Sequence, residues 1–327
     1  MLFSHHTNSV LKRALATLML VLGIFTPIFA QAYNGVTIVM SSPTPANLAF
    51  IDQFKTELAS TKNNNLSVKV IELPETGRLV VAENSELVIA LGTKALEEAS
   101  KLKHSTPVMG VFIPHPTFNS VLVKSHRDRG NFSAIVLDQP FARQMTLIKI
   151  VLPELNKLGV LLGPISSQYG AKIKEKAEDS GYSIFEENIK QETDLMPKLK
   201  QLLDVSDALM AIPDPLIYTR ETAQPIILTS YRYQKPIFGY SQSYVRAGAL
   251  AAVYSSSKQL AQQAAEIAIK SQQAPSMLPP LQAPKYFSIM VNYQVGRSLN
   301  IPLMEESVIY KKMLEAEPTE LEEYEPI

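Results

Sequence analysis

Short apolar runs alternate with segments of helical periodicity along most of the chain, and this alternation limits the folds available to it. Residues 36–40, 87–91 and 107–113 are apolar runs of strand length. Between the first two, Asn47 precedes a segment whose apolar residues recur at helical spacing. Strands separated by helices of about ten to fifteen residues predict βαβ units, a parallel sheet and therefore an α/β fold.

The alternation begins again after a polar loop at residues 124–132. Further strands are predicted at 158–162, 208–212 and 236–238, with helical segments between them. This restart predicts a second lobe similar to the first. The loop carries the letters H-R-D, but no D-F-G or kinase-type glycine-rich loop accompanies them. We interpret the loop as a solvated surface segment.

The start of the chain has the pattern of an export signal. Lys12 and Arg13 precede a nearly unbroken apolar stretch at 14–29, and Ala30-Gln31-Ala32 supplies the small residues of a cleavage site. We expect residues 1–32 to be a signal peptide, with an uncleaved membrane anchor as the alternative. The chain has no cysteine, so we expect neither a lipoprotein nor disulfides.

The charge of the chain is balanced. It has 31 basic and 31 acidic residues, and without Lys12 and Arg13 the count becomes 29 basic against 31 acidic. A balance of this kind does not indicate binding to nucleic acid or to an anionic membrane surface.

Familiar catalytic and metal-binding motifs are missing. The sequence has no G-x-S-x-G, no H-E-x-x-H and no cysteine nucleophile. His104, His115 and His126 follow no metal-ligand spacing. We therefore predict a protein that is not an enzyme and has no metal or cofactor. A periplasmic enzyme with Asp214 as its base remains an alternative, and so does an ordinary turn role for Asp214.

Three polar loops follow buried strands in the second half of the chain, at 166–169, 213–218 and 240–242. In a parallel sheet these loops emerge at one edge, where ligands bind in open α/β sheets. The first half offers the corresponding loop at 41–45 and the glycine–threonine pair before the helix at 94–103. The candidate ligand-binding residues in these loops are Ser41, Ser42, Thr44, Thr93, Ser166, Ser167, Tyr169, Asp214, Tyr218, Tyr240 and Ser241.

The chemistry of these candidates suits a small amino acid-like molecule. Hydroxyl and backbone N–H groups would bind its carboxylate, Asp214 would bind its ammonium group, and the tyrosines would contact an aromatic or apolar side chain. For each residue taken alone, an exposed turn position is the alternative.

Two segments carry a resemblance to a known family. Pro236, Phe238 and Gly239 form P-x-F-G, and residues 245–251 read V-x-A-G-A-L-A. The segment 284–302 resembles the closing strand and helix of the same family, although Gly296 and Asn300 stand where alanine and glycine are usual. The chain resembles the ABC transporter substrate-binding protein family, which is periplasmic binding protein-like with the type I fold.

The resemblance implies two Rossmann-like lobes with parallel sheets that close on a ligand about a hinge. It implies a periplasmic monomer that captures a small molecule and delivers it to the permease of an ABC importer. The alternative partner is a membrane-bound sensor, such as a kinase or a cyclase. We expect lobe 1 to span 33–138 and about 248–284, and lobe 2 to span 139–247 and about 285–304. Residues 305–327 are expected to form an acidic tail that begins as a frayed helix and continues as a mobile end, with a docking tail as the alternative.

Overall fold

A computed structural model describes residues 35–61, 66–74, 79, 81, 86–273 and 277–317. The predicted signal peptide and residues 318–327 lie outside these ranges. Within them, no helix has both the length and the apolar character needed to cross a bilayer.

The first lobe is built on a parallel sheet of five strands in the order β2-β1-β3-β4-β5. Apolar residues dominate β1, β3, β4 and β5 because helices cover both faces of the sheet. The strands are β1 (Gly35–Met40), β2 (Ser67–Glu72), β3 (Glu86–Leu91), β4 (Val108–Ile113) and β5 (Phe132–Val136), and the helices are α1 (Pro45–Ser60), α2 (Thr93–Ala99) and α3 (His115–Ser125).

The second lobe contains a sheet of six strands in the order β11-β10-β9-β8-β6-β7. Every pairing is parallel except that of β10 with β11. The strands are β6 (Lys157–Leu162), β7 (Ser183–Asn188), β8 (Ala208–Met210), β9 (Ile237–Gly239), β10 (Ala251–Tyr254) and β11 (Ser288–Val291). The helices that precede β10 are α4 (Phe141–Val151), α5 (Gly170–Asp179), α6 (Leu195–Val205), α7 (Arg220–Arg232) and α8 (Gln242–Ala247).

The two sheets share one topology. If the first strand of each lobe is counted as one, both sheets contain the order 2-1-3-4-5, which is a doubly wound arrangement. Each sheet therefore has a switch point, between β1 and β3 in the first lobe and between β6 and β8 in the second. The predicted fold, two Rossmann-like lobes with parallel sheets, is confirmed.

The chain crosses between the lobes at 137–140, at 255–256 and again at 283–287. After the second crossing, α9 (Ser257–Gln273) packs against α1 in the first lobe. The predicted boundary at 248 placed β10 in the first lobe, whereas its pairing with β9 and β11 places it in the second. The crossing occurs after β10 because this strand completes the second sheet.

The region predicted as an acidic tail is folded as far as residue 317. After α10 (Tyr293–Ser298), helix α11 (Glu306–Ala316) packs on α4 and β11. Ile309 and Met313 on α11 are buried in the core of the second lobe. A helix was predicted here and the structure has one, but its packing on the second lobe contradicts the expectation that it is frayed. The acidic composition hid this apolar pair.

The loop that contains H-R-D is not fully solvated, because Arg127 is only 5% exposed. Its guanidinium donates hydrogen bonds to the carbonyl oxygens of four residues in the preceding connection and lies over the ring of Phe132. The four acceptors are Leu102, Lys103, His104 and Thr106. Arg127 therefore holds the 102–106 connection against the edge of the first sheet.

Replacing Arg127 with lysine is expected to lower the free energy of unfolding by about 2 kcal/mol, because an ammonium group cannot reach all four carbonyl oxygens. Urea denaturation would measure the change. Arg129→Lys is the matched control, since Arg129 is exposed in the same loop. Equal stability of the two variants would contradict the structural role of Arg127.

Candidate functional site

The loops after β6 and β8 meet at the carboxyl edge of the second sheet. Asp214, which follows β8, accepts hydrogen bonds at Oδ2 from the backbone N–H groups of Ile165 (3.0 Å) and Ser166 (2.8 Å). The Ser166 hydroxyl donates to the same oxygen over 3.0 Å. The predicted convergence of these loops is confirmed, and it occurs at the switch point of the sheet.

This geometry gives Asp214 a different role from the predicted one. Its Oδ1 accepts from the backbone N–H of Leu216 over 2.9 Å, and the residue is 3% exposed. Oδ2 therefore joins the loop after β8 to the loop after β6, while Oδ1 closes a turn within its own loop, so both oxygens already accept hydrogen bonds from the protein. The turn role, which was the alternative for Asp214, describes the structure.

Gly163 makes the close approach of these loops possible. A Cβ at this position would lie 2.3 Å from Oδ1 of Asp214. The backbone N–H of Gly163 donates to the hydroxyl of Ser166 over 2.8 Å, so Gly163 and Ser166 belong to the same network as Asp214. Ser166 is fully buried. Ser167 is exposed, and its hydroxyl donates to the carbonyl of Pro164.

Three tyrosines, Tyr218, Tyr240 and Tyr244, form what we call the tyrosine cluster. Tyr218 follows β8 and Tyr240 follows β9, and their ring centroids lie 5.9 Å apart. Tyr244 on α8 lies 5.7 Å from Tyr218 and 5.5 Å from Tyr240. Burial raises the pKa of each of the three hydroxyl groups, so all three are neutral hydrogen-bond donors at physiological pH.

Tyr244 was absent from the sequence-based candidates. It is 5% exposed, and its hydroxyl has no hydrogen-bond partner within the part of the chain that the structure describes. The sequence feature that could have identified Tyr244 is its spacing of four residues from Tyr240. Ser241, a predicted ligand contact, also caps α8 by accepting from the backbone N–H of Tyr244.

The corresponding loops of the first sheet flank the switch point between β1 and β3. Thr44 caps α1 by accepting from the backbone N–H of Asn47, and the carbonyl of Ser42 accepts from the side chain of Asn47. Ser42 and Thr44 are exposed, while Ser41 and Thr93 are half-buried. The candidate residues of the first lobe thus lie together at the carboxyl edge of the first sheet.

Sequence reasoning also missed apolar residues at these edges. Ile165 in the loop after β6 is 42% exposed, Leu137 after β5 is 41% exposed, and Leu48 at the start of α1 is 46% exposed. The sequence feature that could have identified these residues is an apolar side chain in or beside a polar loop. They add apolar surface to edges where hydroxyl groups alone were predicted.

Tyr169 joins the lobes instead of standing open at the edge. It is 5% exposed, its hydroxyl lies 3.2 Å from Nδ1 of His115 in the first lobe, and its ring packs on Phe141. Burial, with a smaller contribution from Lys172, lowers the pKa of His115 to about 4. The imidazole is therefore neutral at physiological pH.

Asp138 at the first crossing belongs to the same contact between the lobes. Its Oδ2 accepts a hydrogen bond from the backbone N–H of His115 over 2.7 Å. Burial raises the pKa of Asp138 to about 6, although this hydrogen bond acts in the opposite direction. In the described ranges no three His, Cys, Asp or Glu residues form a group that could hold a metal ion.

A sequence model of the family described as ABC transporter substrate binding protein matches residues 36–313. The chain belongs to this family. The resemblance of the 236–251 and 284–302 segments is thereby confirmed. The family is one of substrate-binding proteins rather than of enzymes. No curated protein matches the chain.

Solved structures with the same fold include members of this class. A substrate binding protein with adhesive properties from Clostridium difficile, in its ligand-free, open form, is 18% identical with a TM-score of 0.64, covering 83% of this chain and 96% of that one. The ABC domain from Streptococcus pneumonia in complex with L-Trp is 18% identical with a TM-score of 0.57, covering 86% of this chain and 98% of that one. At this identity the likeness shows the shared fold.

Proposed function

We propose that the protein is exported to the periplasm, captures a small molecule with an aromatic or apolar group between its lobes, and delivers it to the permease of an ABC importer. The observation that carries this proposal is the tyrosine cluster at the carboxyl edge of the second sheet. Aromatic side chains with neutral hydroxyl groups provide both apolar contact and directed hydrogen bonds.

The two edges supply complementary chemistry for such a ligand. Tyr218 and Tyr240 are half-buried, so part of each residue remains open to solvent. In the first lobe, Ser41, Ser42 and Thr93 place hydroxyl groups next to the switch point, where a carboxylate or hydroxyl group of the ligand can bind. Membership of the family supports this arrangement, and so does the L-Trp complex of the similar Streptococcus pneumonia domain.

We still expect an amino acid-like ligand, but we do not expect Asp214 to bind its ammonium group. Because both oxygens of Asp214 are occupied within the protein, selectivity is expected to come from the apolar group. Ligands that differ in side-chain size should therefore differ in affinity more than ligands that differ at the amino group.

Thermal unfolding with a panel that includes L-tryptophan, L-tyrosine, L-phenylalanine, L-leucine and L-aspartate tests this function. A ligand at one hundred times its dissociation constant is expected to stabilise the protein by about 2.7 kcal/mol, visible as a rise of a few degrees in Tm. Tyr240→Ala should abolish the rise. Tyr231→Ala, at an exposed position on α7, should keep it.

An unchanged Tm across a broad panel, with folded protein, would contradict solute capture. A rise that persists in Tyr240→Ala would contradict the assignment of the site. Delivery to an importer further requires that the ligand-loaded form stimulate ATP hydrolysis by a reconstituted transporter, whereas a sensor partner would not respond in this way.

A further inference from the structure

Arg143 lies on α4, directly after the first crossing between the lobes, and its side chain is 1% exposed. The guanidinium donates to Oε1 of Gln139 over 2.7 Å and to the carbonyl of Pro284 over 2.9 Å. It also lies over the ring of Phe287, with its central carbon 4.6 Å from the ring centroid. One side chain thus binds both the first and the third crossing.

A chain of hydrogen bonds extends this connection to the second crossing. The side-chain amide of Gln139 donates to the hydroxyl of Ser255 over 2.8 Å, and that hydroxyl donates to the carbonyl of Tyr286. All three crossings therefore meet in one polar network around Arg143.

The fourth partner of Arg143 comes from the last helix. Glu317 immediately follows α11, and its carboxylate accepts from Nε of Arg143 over 2.9 Å and also pairs with Nη2. The Glu317 side chain is 19% exposed, so it can leave the pair without unpacking the core, whereas Arg143 cannot. A buried guanidinium that loses its carboxylate retains an uncompensated charge, which weakens the arrangement around it.

We propose that the Arg143–Glu317 pair is a clasp that fixes the angle between the lobes. While it is formed, the three crossings are held in one arrangement. When Glu317 leaves, Arg143 keeps Gln139 and Pro284 as partners, but its orientation is no longer fixed, and the crossings gain freedom to rotate. Glu317 belongs to none of the loops at the carboxyl edges of the two sheets, yet through this pair it controls the orientation of both edges. The inference does not rest on the proposed function, because its test requires no ligand.

The absence of native cysteines allows spin labels to be placed at chosen sites. Val123→Cys on α3 and Lys174→Cys on α5 provide exposed positions in the first and second lobes. Pulsed electron paramagnetic resonance then measures the distance between the two spin labels, and therefore between the lobes. Glu317→Gln is expected to broaden this distance distribution and shift its mean by more than about 2 Å.

Two controls make the result specific. Glu315→Gln removes an equal charge from an exposed position on the last turn of α11, two residues before Glu317, and should leave the distribution unchanged. A second label pair within the first lobe, Lys94→Cys with Val123→Cys, should report the same distance in Glu317→Gln as in the parent. An unchanged distance between the lobes in Glu317→Gln, an equal change in Glu315→Gln, or a change within the first lobe would each overturn the proposal.

Discussion

Replacing Asp214 with asparagine is expected to lower the free energy of unfolding by about 3 kcal/mol. The carboxylate accepts four hydrogen bonds, three of them from backbone N–H groups, at a position that is 3% exposed. An asparagine side chain has one acceptor oxygen, and its amide N–H would face other donors. At least one buried donor would therefore be left without a partner, which is a costly state in a protein interior.

Urea denaturation of Asp214→Asn, with the slope of the transition compared with that of the parent, would measure this loss. Asp204→Asn is the matched control, because Asp204 is exposed at the end of α6, and it should change stability by less than about 0.5 kcal/mol. If Asp214→Asn were as stable as the parent but lost ligand affinity, Asp214 would be a ligand contact, and the loop-joining role would be wrong.

Replacing Gly163 with alanine is expected to cost about 3 kcal/mol through overpacking. The added Cβ would lie 2.3 Å from Oδ1 of Asp214, well inside any allowed contact. The carboxylate cannot move aside without loss, because its hydrogen bonds to Ile165, Ser166 and Leu216 hold it in place. The substitution should therefore disturb the same network as Asp214→Asn.

Gly170→Ala is the control for Gly163→Ala. A Cβ at Gly170 would meet Leu162 at 3.3 Å and Glu186 at 3.5 Å, and the residue begins α5, where alanine is favoured over glycine. We expect its stability to be unchanged or slightly raised in thermal or urea unfolding. The double variant Gly163→Ala/Asp214→Asn should lose less than the sum of the single losses, since both act on one network. Full additivity would show that the two residues act separately.

Much of the fold could be predicted from periodicity. The strand runs at 36–40, 87–91 and 158–162 are buried on both faces, and such strands produce continuous apolar runs that a sequence displays directly. The convergence of the loops after β6 and β8 followed from the geometry of parallel sheets. The position of β10 did not, because a short apolar strand carries no information about the sheet it joins.

The chemistry of the site was less predictable, because it depends on contacts between distant segments. Asp214 meets Ser166 across 48 positions of sequence. Composition suggested a ligand contact for Asp214, while only its surroundings show an internal one. In the same way, the buried state of Arg127 depends on carbonyl groups more than twenty residues away. A polar residue type indicates that a partner is needed, but not which one.

Because Asp214 joins the loops after β6 and β8 into one unit, evolution has limited freedom to alter them. A change at Gly163, Ser166 or Asp214 threatens folding before it can alter ligand preference. Divergence toward new solutes is therefore expected to use the positions beside this unit, above all Tyr218 and Tyr240, and the loops of the first lobe. A mutant library intended to change specificity should diversify those positions and leave the joined loops intact.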